Sequence, residues 1–430
     1  MKIVRVIARL NVGGPAKHVV WLTAGLQGAD CQSLLVAGTV PPGEDDMGYF
    51  AAQMGVTPCF ISEMSREIST KDLLTIAKLY KLFLREHPDI VHTHTAKAGT
   101  VGRIAGLLYR WSTPAVLLGR PRKCRFVHTY HGHIFHSYYG PLKTRSFLWI
   151  EKALARLITD RIVVLSEQQR KEIHERFGVG RKGQFLIIPL GLDLKAFGKW
   201  QERRAIFRQE LGAKSDDVLV GIVGRLSEIK NHELFLQAAA LVKQLRMQKP
   251  GAQLRFVVIG DGTLRGRLET LAKSLGVAED LLFAGERRDP ENFYPALDIV
   301  ALTSRNEGTP LTLIEAMANA RPIIATAVGG VGDLLGDATS SDQSAPYIIR
   351  ARGISTPPSD PRAFAAGLVR MLEDPTLCRE IGERGLQYVA TNYSKDRLLS
   401  DIEALYRDLL QKKPTTVRAR SSERGLEPGV

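Results

Sequence analysis

The sequence predicts an α/β protein with two domains, each built around a parallel β-sheet. Its 430 residues are enough for about two domains of ordinary size. Short apolar runs alternate with amphipathic segments along most of the chain, as strands and helices alternate in parallel sheets. Several apolar runs lead into loops that contain glycine, at the strand ends where open parallel sheets bind ligands.

Each element is predicted from a local pattern. An apolar run bounded by polar or glycine residues predicts a strand, and apolar residues on one side of a longer segment predict a helix. The predicted strands cover residues 3–8, 33–37, 88–92, 162–166, 218–223, 254–259, 281–285, 298–303 and 323–327. The predicted helices cover residues 15–26, 72–87, 232–248, 310–320, 361–373, 377–391 and 393–411.

Cysteine usage and the first residues bear on the compartment. The four cysteines, Cys31, Cys59, Cys124 and Cys378, form no close pair, which favours a reducing compartment over a disulfide framework. The first ten residues contain two arginines and no uninterrupted apolar segment, so we expect no signal peptide. No apolar run approaches the roughly 18 residues of a membrane-spanning helix. We expect a cytoplasmic protein.

Positive charge is concentrated in the first half of the chain. Residues 1–195 hold 27 Lys and Arg against 15 Asp and Glu, whereas the remainder holds 32 against 30. Between residues 90 and 150 there are nine basic residues and no acidic one. Such a segment attracts polyanions, and its bulky apolar residues favour an anionic membrane surface, with the protein bound peripherally to the inner face. Nucleic acid is not expected as a partner, because no recognised motif for it is present.

Two alternatives to a membrane patch stay open, a chance excess of charge on a solvated surface and a helix packed on the sheet. The basic members of the predicted patch are Arg103, Arg110, Arg120, Arg122, Lys123 and Arg125. Its apolar members are Leu107, Leu108, Trp111, Val116 and Leu117, with an extension over Phe135, Tyr138, Tyr139, Phe147, Leu148 and Trp149.

The loop and helix start near residue 310 carry the clearest chemistry. Glu307 lies on the loop and Glu315 lies early in the helix, with seven residues between them. Backbone N–H groups at the helix start, around Leu311 and Thr312, attract a phosphate. Carboxylates on both sides of a phosphate site can accept hydrogen bonds from hydroxyls, which suits a nucleotide sugar. A surface loop followed by a solvated glutamate is the alternative.

This stretch resembles a known family. Glu307-Gly-Thr-Pro310, the second glutamate at 315 and Arg321-Pro322 resemble the donor-site signature of the retaining glycosyltransferases of family 4, which have the GT-B fold. The resemblance covers nearly the whole chain except the tail, and it implies two Rossmann-like domains that face each other across a cleft. Many family members have glycine where this chain has Pro310, so one N–H donor is lost here. We expect Thr309 to cap the helix, with Pro310 in its first turn.

Further positions match the same family. Gly224-Arg225 ends a predicted strand and Lys230 follows five residues after the arginine, so a forked donor and a point charge can bracket a diphosphate. The resemblance implies that both side chains bind the donor pyrophosphate. It also implies that the Gly13-Gly14 loop faces the donor phosphates, although a plain tight turn is the alternative. The loop that contains Arg287 is implied to meet the nucleobase, largely through backbone groups.

Histidines cluster in the first half, with six of the ten between residues 92 and 136. By its match to the family, His131 is the candidate active-site histidine, which contacts a sugar hydroxyl or shares the acceptor's proton. His92, His94 and Lys97 are candidates for the acceptor pocket, with core or helix-capping roles as the alternative. No carboxylate or cysteine lies near these histidines in sequence and the family needs no chelated metal, so we predict no metal site.

The resemblance also divides the chain. A Pro-x-Gly-x-Asp turn at residues 189–193 resembles the one that closes the first domain in the family, so we place an acceptor-binding domain at residues 1–195. A nucleotide-sugar-binding domain is expected at residues 196–391. The helix at residues 392–411 is implied to return to the first domain, and the polar residues 412–430 are expected to be disordered.

The predicted function is that of a retaining glycosyltransferase. It is expected to move a sugar from a UDP-linked donor to a saccharide or lipid-linked acceptor in cell-surface polysaccharide synthesis, with the nucleotide sugar as co-substrate and no cofactor. The candidate catalytic residues are His131, Glu307, Arg225 and Lys230. Two alternatives are a nucleotide-sugar epimerase of the same fold and a non-catalytic protein that binds a nucleotide sugar.

Overall fold

A computed structural model describes residues 1–11, 13–40, 46–65, 69–132, 141–246, 253–339 and 344–411. These residues form two seven-stranded sheets, one in each half of the chain, with helices on both faces. The predicted α/β class with two Rossmann-like sheets is therefore confirmed. The aromatic residues predicted at 135, 138 and 139 and the tail at 412–430 lie outside the described residues.

The first sheet is parallel throughout. Its strands are β1 (Lys2–Ile7), β2 (Gln32–Gly38), β3 (Cys59–Ile61), β4 (Ile90–His94), β5 (Arg125–Thr129), β6 (Arg161–Val164) and β7 (Phe185–Ile187). Their order across the sheet is β3-β2-β1-β4-β5-β6-β7. The helices of this half are α1 (Gly14–Gly25), α2 (Gly48–Gln53), α3 (Lys71–Glu86), α4 (Ala96–Trp111), α5 (Pro141–Leu157) and α6 (Glu167–Arg170).

The second sheet is parallel except for one edge strand. Its strands are β8 (Val218–Val223), β9 (Leu254–Ile259), β10 (Leu281–Gly285), β11 (Ile299–Leu302), β12 (Ile323–Thr326), β13 (Ile348–Arg350) and β14 (Gly353–Thr356). Their order is β10-β9-β8-β11-β12-β14-β13, and β13 pairs antiparallel with β14. The helices of this half are α7 (Trp200–Glu210), α8 (His232–Arg246), α9 (Arg265–Ser274), α10 (Pro290–Ala296), α11 (Leu311–Ala318), α12 (Val331–Leu335), α13 (Pro361–Glu373), α14 (Pro375–Asn392) and α15 (Lys395–Gln411).

The last helix, α15, packs on the first sheet. Its apolar side chains Ile402 and Leu409 join a core cluster with Ile3 and Val127. Helix α1 covers the same face, whereas α3, α4 and α5 cover the opposite face. Since α14 packs on the second domain, the chain crosses between domains a second time at residues 393–394.

The turn at residues 189–193 is hydrogen-bonded to the segment that forms this second crossing. The Leu192 N–H donates to the Tyr393 carbonyl at 2.7 Å, and the Lys395 N–H donates to the Leu192 carbonyl at 2.9 Å. The Arg397 guanidinium donates to the Pro189 and Leu190 carbonyls, both at 2.7 Å. The two crossings between the domains therefore lie side by side and are hydrogen-bonded to each other.

The start and end of α11 differ from the sequence-based prediction. The residue at the N-cap is Pro310, and no side chain caps the helix, so the prediction that Thr309 is the cap is wrong. The helix ends at Ala318 rather than near residue 320, because Ala320 has a left-handed backbone with φ of 53°. The N–H groups of the first turn are therefore left for other partners.

Four of the six basic residues in the predicted patch make internal contacts, which corrects the surface prediction for the buried Arg103 and leaves the other three partly exposed. Arg103 is fully buried and its Nη2 donates to Glu151 Oε1 at 2.6 Å. Arg110 and Arg125 both pair with Asp160, at 3.0 and 3.2 Å. Arg122 donates to the Tyr109 carbonyl at 2.5 Å. A basic residue need not lie on the surface here, because arginine stems and guanidinium groups pack between the helices and the sheet.

Candidate functional site

The carboxyl ends of the two sheets face each other, and the loops that leave them touch across the cleft. A methyl group added to Gly14 would lie 3.8 Å from Leu311 Cδ2. One added to Gly308 would lie 3.1 Å from Gly132 Cα, so a side chain at 308 would crowd the first domain. Gly13-Gly14 thus lies opposite the start of α11, where the resemblance places it. The glycines permit this close approach of backbones.

Glu315 lies at the centre of the contact between the domains. Its residue is 6% exposed, and one carboxylate oxygen is 3.4 Å from Lys17 Nζ on α1 of the first domain. The Tyr294 hydroxyl donates to its other oxygen at 3.2 Å. Burial and the Glu315 carboxylate raise the pKa of Tyr294 well above its ordinary value, so the hydroxyl stays protonated and remains a donor.

Glu307 forms a second carboxylate centre on the loop before α11. The Lys230 ammonium and the Ser304 hydroxyl each donate to its Oε1 at 2.6 Å. Lys230 reaches this position from the loop between β8 and α8, so the neighbouring strands β8 and β11 bring the pair together. The two predicted residues are therefore direct partners, a contact that their separation of 77 residues in sequence does not reveal.

Arg225 follows β8 beside Lys230 and is exposed. Among the described residues, no acceptor for its guanidinium is found. Gly224, the residue before it, is packed against the next loop, because a methyl group on Gly260 would lie 2.2 Å from the Gly224 carbonyl. The loop is thus held tightly while the Arg225 side chain is left available to a ligand.

The start of α11 holds buried hydroxyls without partners. Thr309 Oγ1 and Thr312 Oγ1 make no hydrogen bond among the described residues, although both atoms are buried. Such groups usually have a partner in the native protein or its complex. Leu311 and Thr312, the predicted phosphate-binding positions, therefore lie among hydrogen-bond donors, both backbone N–H groups and side-chain hydroxyls, that are available to a ligand.

The Arg287 side chain is not available to bind the nucleotide-sugar donor, because it already has partners within the protein. Its guanidinium makes a two-pronged contact with Asp289, at 2.8 and 2.6 Å, and also pairs with Glu210. It stacks over the Phe207 ring, 4.6 Å from the centroid. Any contact of this loop with a nucleobase must come from its backbone, as the resemblance implies, and the arginine itself fixes the loop to α7.

Two of the three acceptor-side candidates have partners within the protein, and for the fully buried His92 this corrects the assignment. His92 is fully buried, with Nδ1 2.6 Å from the Tyr406 hydroxyl and Nε2 2.7 Å from Thr129 Oγ1. Lys97 is 8% exposed and pairs with Asp72 of α3. The core alternative therefore describes His92, and Lys97 joins α4 to α3.

His94 and His131 do meet, and they are joined by a histidine that the sequence analysis missed. His94 Nδ1 is 3.0 Å from His131 Nε2. The ring of His18, on α1, lies 4.8 Å from the ring of His131 and 5.6 Å from that of His94. The sequence signal for His18 is that it follows the Gly13-Gly14 loop, which comes after β1. Because β1 pairs with β4, this position lies near His94 at the end of β4.

These rings are neutral near pH 7. Burial lowers the pKa of His131 to about 3, and it lowers the pKa values of His18 and His94 well below the ordinary range. A neutral imidazole has one donor and one acceptor nitrogen, which suits hydrogen bonds to hydroxyls. A pKa this low makes His131 a weak base, so hydrogen bonding to a sugar fits it better than removal of a proton.

Two family models match the chain, one in each half. The model of glycosyltransferase family 4 matches residues 12–196, and that of glycosyl transferases group 1 matches residues 203–388. The second match includes Arg225, Lys230, Glu307 and Glu315, and the first includes His131. Together the two matches cover six of the seven strands of the first sheet and all seven strands of the second.

Relatives of similar length carry specific names. The chain is 28% identical over 356 residues to the UDP-Gal:α-D-GlcNAc-diphosphoundecaprenol α-1,3-galactosyltransferase of Escherichia coli, a match that covers 82% of this chain and 84% of that enzyme. It is 27% identical over 363 residues to the D-inositol 3-phosphate glycosyltransferase of Kineococcus radiotolerans, covering 80% and 75% of the two chains.

Solved structures with the same fold span nearly all of the chain. The structure of Anabaena HepE in complex with UDP matches with a TM-score of 0.73 at 20% identity, covering 95% of this chain and all of that one. Sucrose-phosphate synthase of Thermosynechococcus elongatus matches with a TM-score of 0.71 at 23% identity, covering 95% and 99%. At these identities the likeness establishes the fold, which is the GT-B arrangement.

Proposed function

The chain belongs to the retaining glycosyltransferases of family 4, and we propose that it transfers a sugar from a UDP-linked donor to a saccharide or lipid-linked acceptor in cell-surface polysaccharide synthesis. The E. coli relative, whose name specifies a UDP-galactose donor and an undecaprenol-linked acceptor, supports this choice. The second domain binds the donor in this proposal, and the basic first domain binds the acceptor.

The observation that carries the proposal is the pairing of each predicted carboxylate with a lysine around the start of α11. Glu307 is paired with Lys230 and Glu315 with Lys17, while the Thr309 and Thr312 hydroxyls between them lack partners among the described residues. A nucleoside diphosphate sugar has a charged centre with hydroxyl-bearing rings on both sides. Such a ligand supplies acceptors to the lysines and donors to the carboxylates at the same time.

Each side chain then has a role. Lys230, Arg225 and the N–H groups of Leu311 and Thr312 neutralise the diphosphate as it leaves, and stabilisation of developing charge is often the largest catalytic effect. Glu315 accepts hydrogen bonds from the ribose hydroxyls. Glu307 accepts one from a hydroxyl of the sugar.

The first domain completes the site from the other side of the cleft. His131, held against Gly308, donates or accepts a hydrogen bond at the sugar. The departing phosphate oxygen takes the proton of the acceptor, so no protein nucleophile or resident cofactor is required. Contact between the domains excludes water and favours transfer over hydrolysis.

Donor choice is the first test. In a thermal-shift panel of UDP, GDP and ADP with their common sugar conjugates, we expect the uridine compounds alone to raise the melting temperature. Ligand at 100 times its dissociation constant stabilises the protein by about 2.7 kcal/mol. Glu315→Ala should lose this rise, whereas Glu383→Ala, at an exposed position of α14, should keep it. A rise with guanosine or adenosine compounds instead would refute the UDP assignment.

Peripheral membrane binding is a separate part of the proposal. No helix in the described ranges is both long and apolar enough to cross a membrane. The layer formed by α3, α4, α5 and the short 3₁₀ turn Pro114–Leu118 nevertheless exposes a set of large apolar side chains beside the exposed Arg120 and Lys123. The members of this exposed set are Leu73, Leu74, Leu108, Trp111, Leu117, Leu118 and Trp149. We propose that this layer rests on the anionic inner face of the membrane, where a lipid-linked acceptor would lie.

Vesicle binding tests this surface. Leu117 and Leu118 are 91% and 77% exposed, so replacing both by glutamate should leave the fold intact. We expect the double variant to bind anionic vesicles at least tenfold more weakly in a sedimentation assay, because apolar contact is lost and charge is reversed. Leu245→Glu, at an exposed leucine of the second domain, is the matched control. Equal binding by all three proteins would exclude the layer as the membrane surface.

A further inference from the structure

Three histidines from three different segments of the first domain converge next to the cleft. His18 lies on α1, His94 ends β4 and His131 follows β5. One ring nitrogen from each lies within 4.8 Å of the corresponding atoms of the other two. His18 and His94 are buried, whereas His131 is partly exposed, so the group opens to solvent at one member. The proposed transfer reaction uses His131 alone and assigns no role to the group of three.

The hydrogen bonds of these rings are incomplete. Both ring nitrogens of His18 are buried without a partner among the described residues, as are Nε2 of His94 and Nδ1 of His131. Only the contact between His94 and His131 joins any two of the rings by a hydrogen bond. Buried polar atoms without partners cost stability and commonly mark the place of an ion or an ordered water. Here four such atoms belong to one small cluster of imidazoles.

Against the expectation of no metal site drawn from the sequence, we propose that His18, His94 and His131 form a binding site for a transition-metal ion of the Zn²⁺ class. Imidazole nitrogens suit Zn²⁺, Cu²⁺ and Ni²⁺ and suit Mg²⁺ and Ca²⁺ poorly. Three protein ligands leave the fourth position of a tetrahedral ion for solvent or another molecule. The ion would satisfy one nitrogen of His18, for which the described part of the chain provides no partner.

The distances are close to those that an ion requires. With Zn–N bonds of about 2.0–2.1 Å, the ligand nitrogens of a tetrahedral site lie about 3.3–3.4 Å apart. The pair formed by His94 Nδ1 and His131 Nε2 is 3.0 Å apart, and the widest separation is at most 4.8 Å. Small rotations of the His18 and His131 rings would close this difference.

The ring of His94 is already held in place by the neighbouring ring of His92. The His92 ring lies against it, with centroids 4.1 Å apart, and both nitrogens of His92 are fixed by Tyr406 and Thr129. Such outer contacts orient a ligand before the ion arrives. The buried Arg5, which reaches Tyr406, adds positive charge near the cluster, and this charge opposes a bound cation unless an anion completes its coordination. An anion is therefore favoured as the fourth ligand.

Such an ion would compete with a sugar for His131, a consequence that rests on the proposed function. Ion binding itself does not depend on that function, so it is measured without any substrate. The full-length chain, freed of metal with a chelator, is titrated with Zn²⁺, and with Co²⁺ as a spectroscopic probe. We expect one ion per chain and the visible absorption of a low-coordinate Co²⁺ with nitrogen ligands.

Variants identify the ligands. His18→Gln and His131→Gln should each weaken Zn²⁺ binding at least tenfold and abolish the Co²⁺ bands. His131 is partly exposed, so its variant is informative even where the buried His18 variant folds poorly. His232→Gln is the matched control, because His232 is also buried with two unpartnered nitrogens but belongs to no three-ligand group among the described residues. Absence of binding to the unaltered chain, or unchanged binding by His131→Gln, would overturn the proposal.

Discussion

Replacing Lys230 by methionine should lower kcat by about 10²–10³ while leaving the fold intact. Among the residues that the structure describes, the Lys230 ammonium is the cation placed against Glu307, 2.6 Å away, and in the proposed complex it turns to the diphosphate. Removal of one preorganised donor to developing charge typically has an effect of about this size. Methionine keeps the length of the stem, so the contacts of its methylene groups with the loop are retained.

Glu307→Gln should separate catalysis from binding. The amide keeps an acceptor for Ser304 and Lys230 but removes the negative charge, and a hydrogen bond to a charged group is worth about 1.5–3 kcal/mol. We therefore expect kcat to fall about 10- to 100-fold. The affinity for UDP should hold or rise, because Lys230 is no longer neutralised by a carboxylate before the diphosphate binds. Lys230→Met should instead weaken UDP binding.

The two variants, Lys230→Met and Glu307→Gln, are distinguished by their opposite expected effects on the affinity for UDP. Turnover is followed as release of UDP from the nucleotide sugar that the thermal-shift panel selects, and the affinity for UDP is measured by calorimetry. Lys243→Met is the control, since Lys243 pairs with Asp280 at 2.6 Å on the same domain and has no place in the proposed site. If Glu307→Gln lost UDP affinity as Lys230→Met does, the proposed exchange of partners would be wrong.

The βαβ unit around α11 shows what local sequence can establish. Its strands, its helix and the positions of Glu307 and Glu315 follow from an apolar run, a loop and a second apolar run, all within 30 residues. The errors lie at the helix ends, where Pro310 takes the N-cap and Ala320 adopts a left-handed backbone. Local patterns specify which element forms, whereas its end depends on the backbone conformation of single residues.

Contacts between residues that are distant in sequence could not be predicted from local patterns. His92 looked like a strand-end ligand, yet its hydroxyl partner Tyr406 lies 314 residues away on α15. Lys17 and Tyr294 complete the Glu315 centre, and neither belongs to a motif that the sequence reveals. Each is brought into place by strand order or by the meeting of the domains, which residue spacing does not encode.

Arg103 is different, because a signal for its burial was present. Gly99, Gly102 and Gly106 recur at helical spacing on the side of α4 that carries Arg103. A methyl group on Gly102 would lie 2.7 Å from Thr93, and one on Gly106 would lie 2.0 Å from the Phe126 ring. This glycine stripe therefore marks the side of α4 that lies on the sheet. An arginine within such a stripe belongs to the interior, although its basic neighbours in sequence suggested a surface.

Arg103→Met should destabilise the protein by about 3–5 kcal/mol, the usual effect of removing one member of a fully buried ion pair. The Arg103 and Glu151 side chains are both 0% exposed, and the Tyr130 hydroxyl donates to the second oxygen of Glu151 at 2.6 Å. Burial and the Glu151 carboxylate raise the pKa of Tyr130 well above its ordinary value, so its hydroxyl stays protonated. Without Arg103, Tyr130 alone would face an uncompensated buried carboxylate.

The double variant Arg103→Met, Glu151→Gln tests whether the uncompensated charge causes this loss. Glutamine is neutral and still accepts from Tyr130, so we expect the double variant to be more stable than Arg103→Met alone. Arg145→Met, at an exposed position of α5, should change the free energy of unfolding by no more than about 0.5 kcal/mol. Equilibrium urea unfolding followed by circular dichroism gives all three values. A double variant less stable than the single one would show that packing by the guanidinium, rather than charge, is what the core loses.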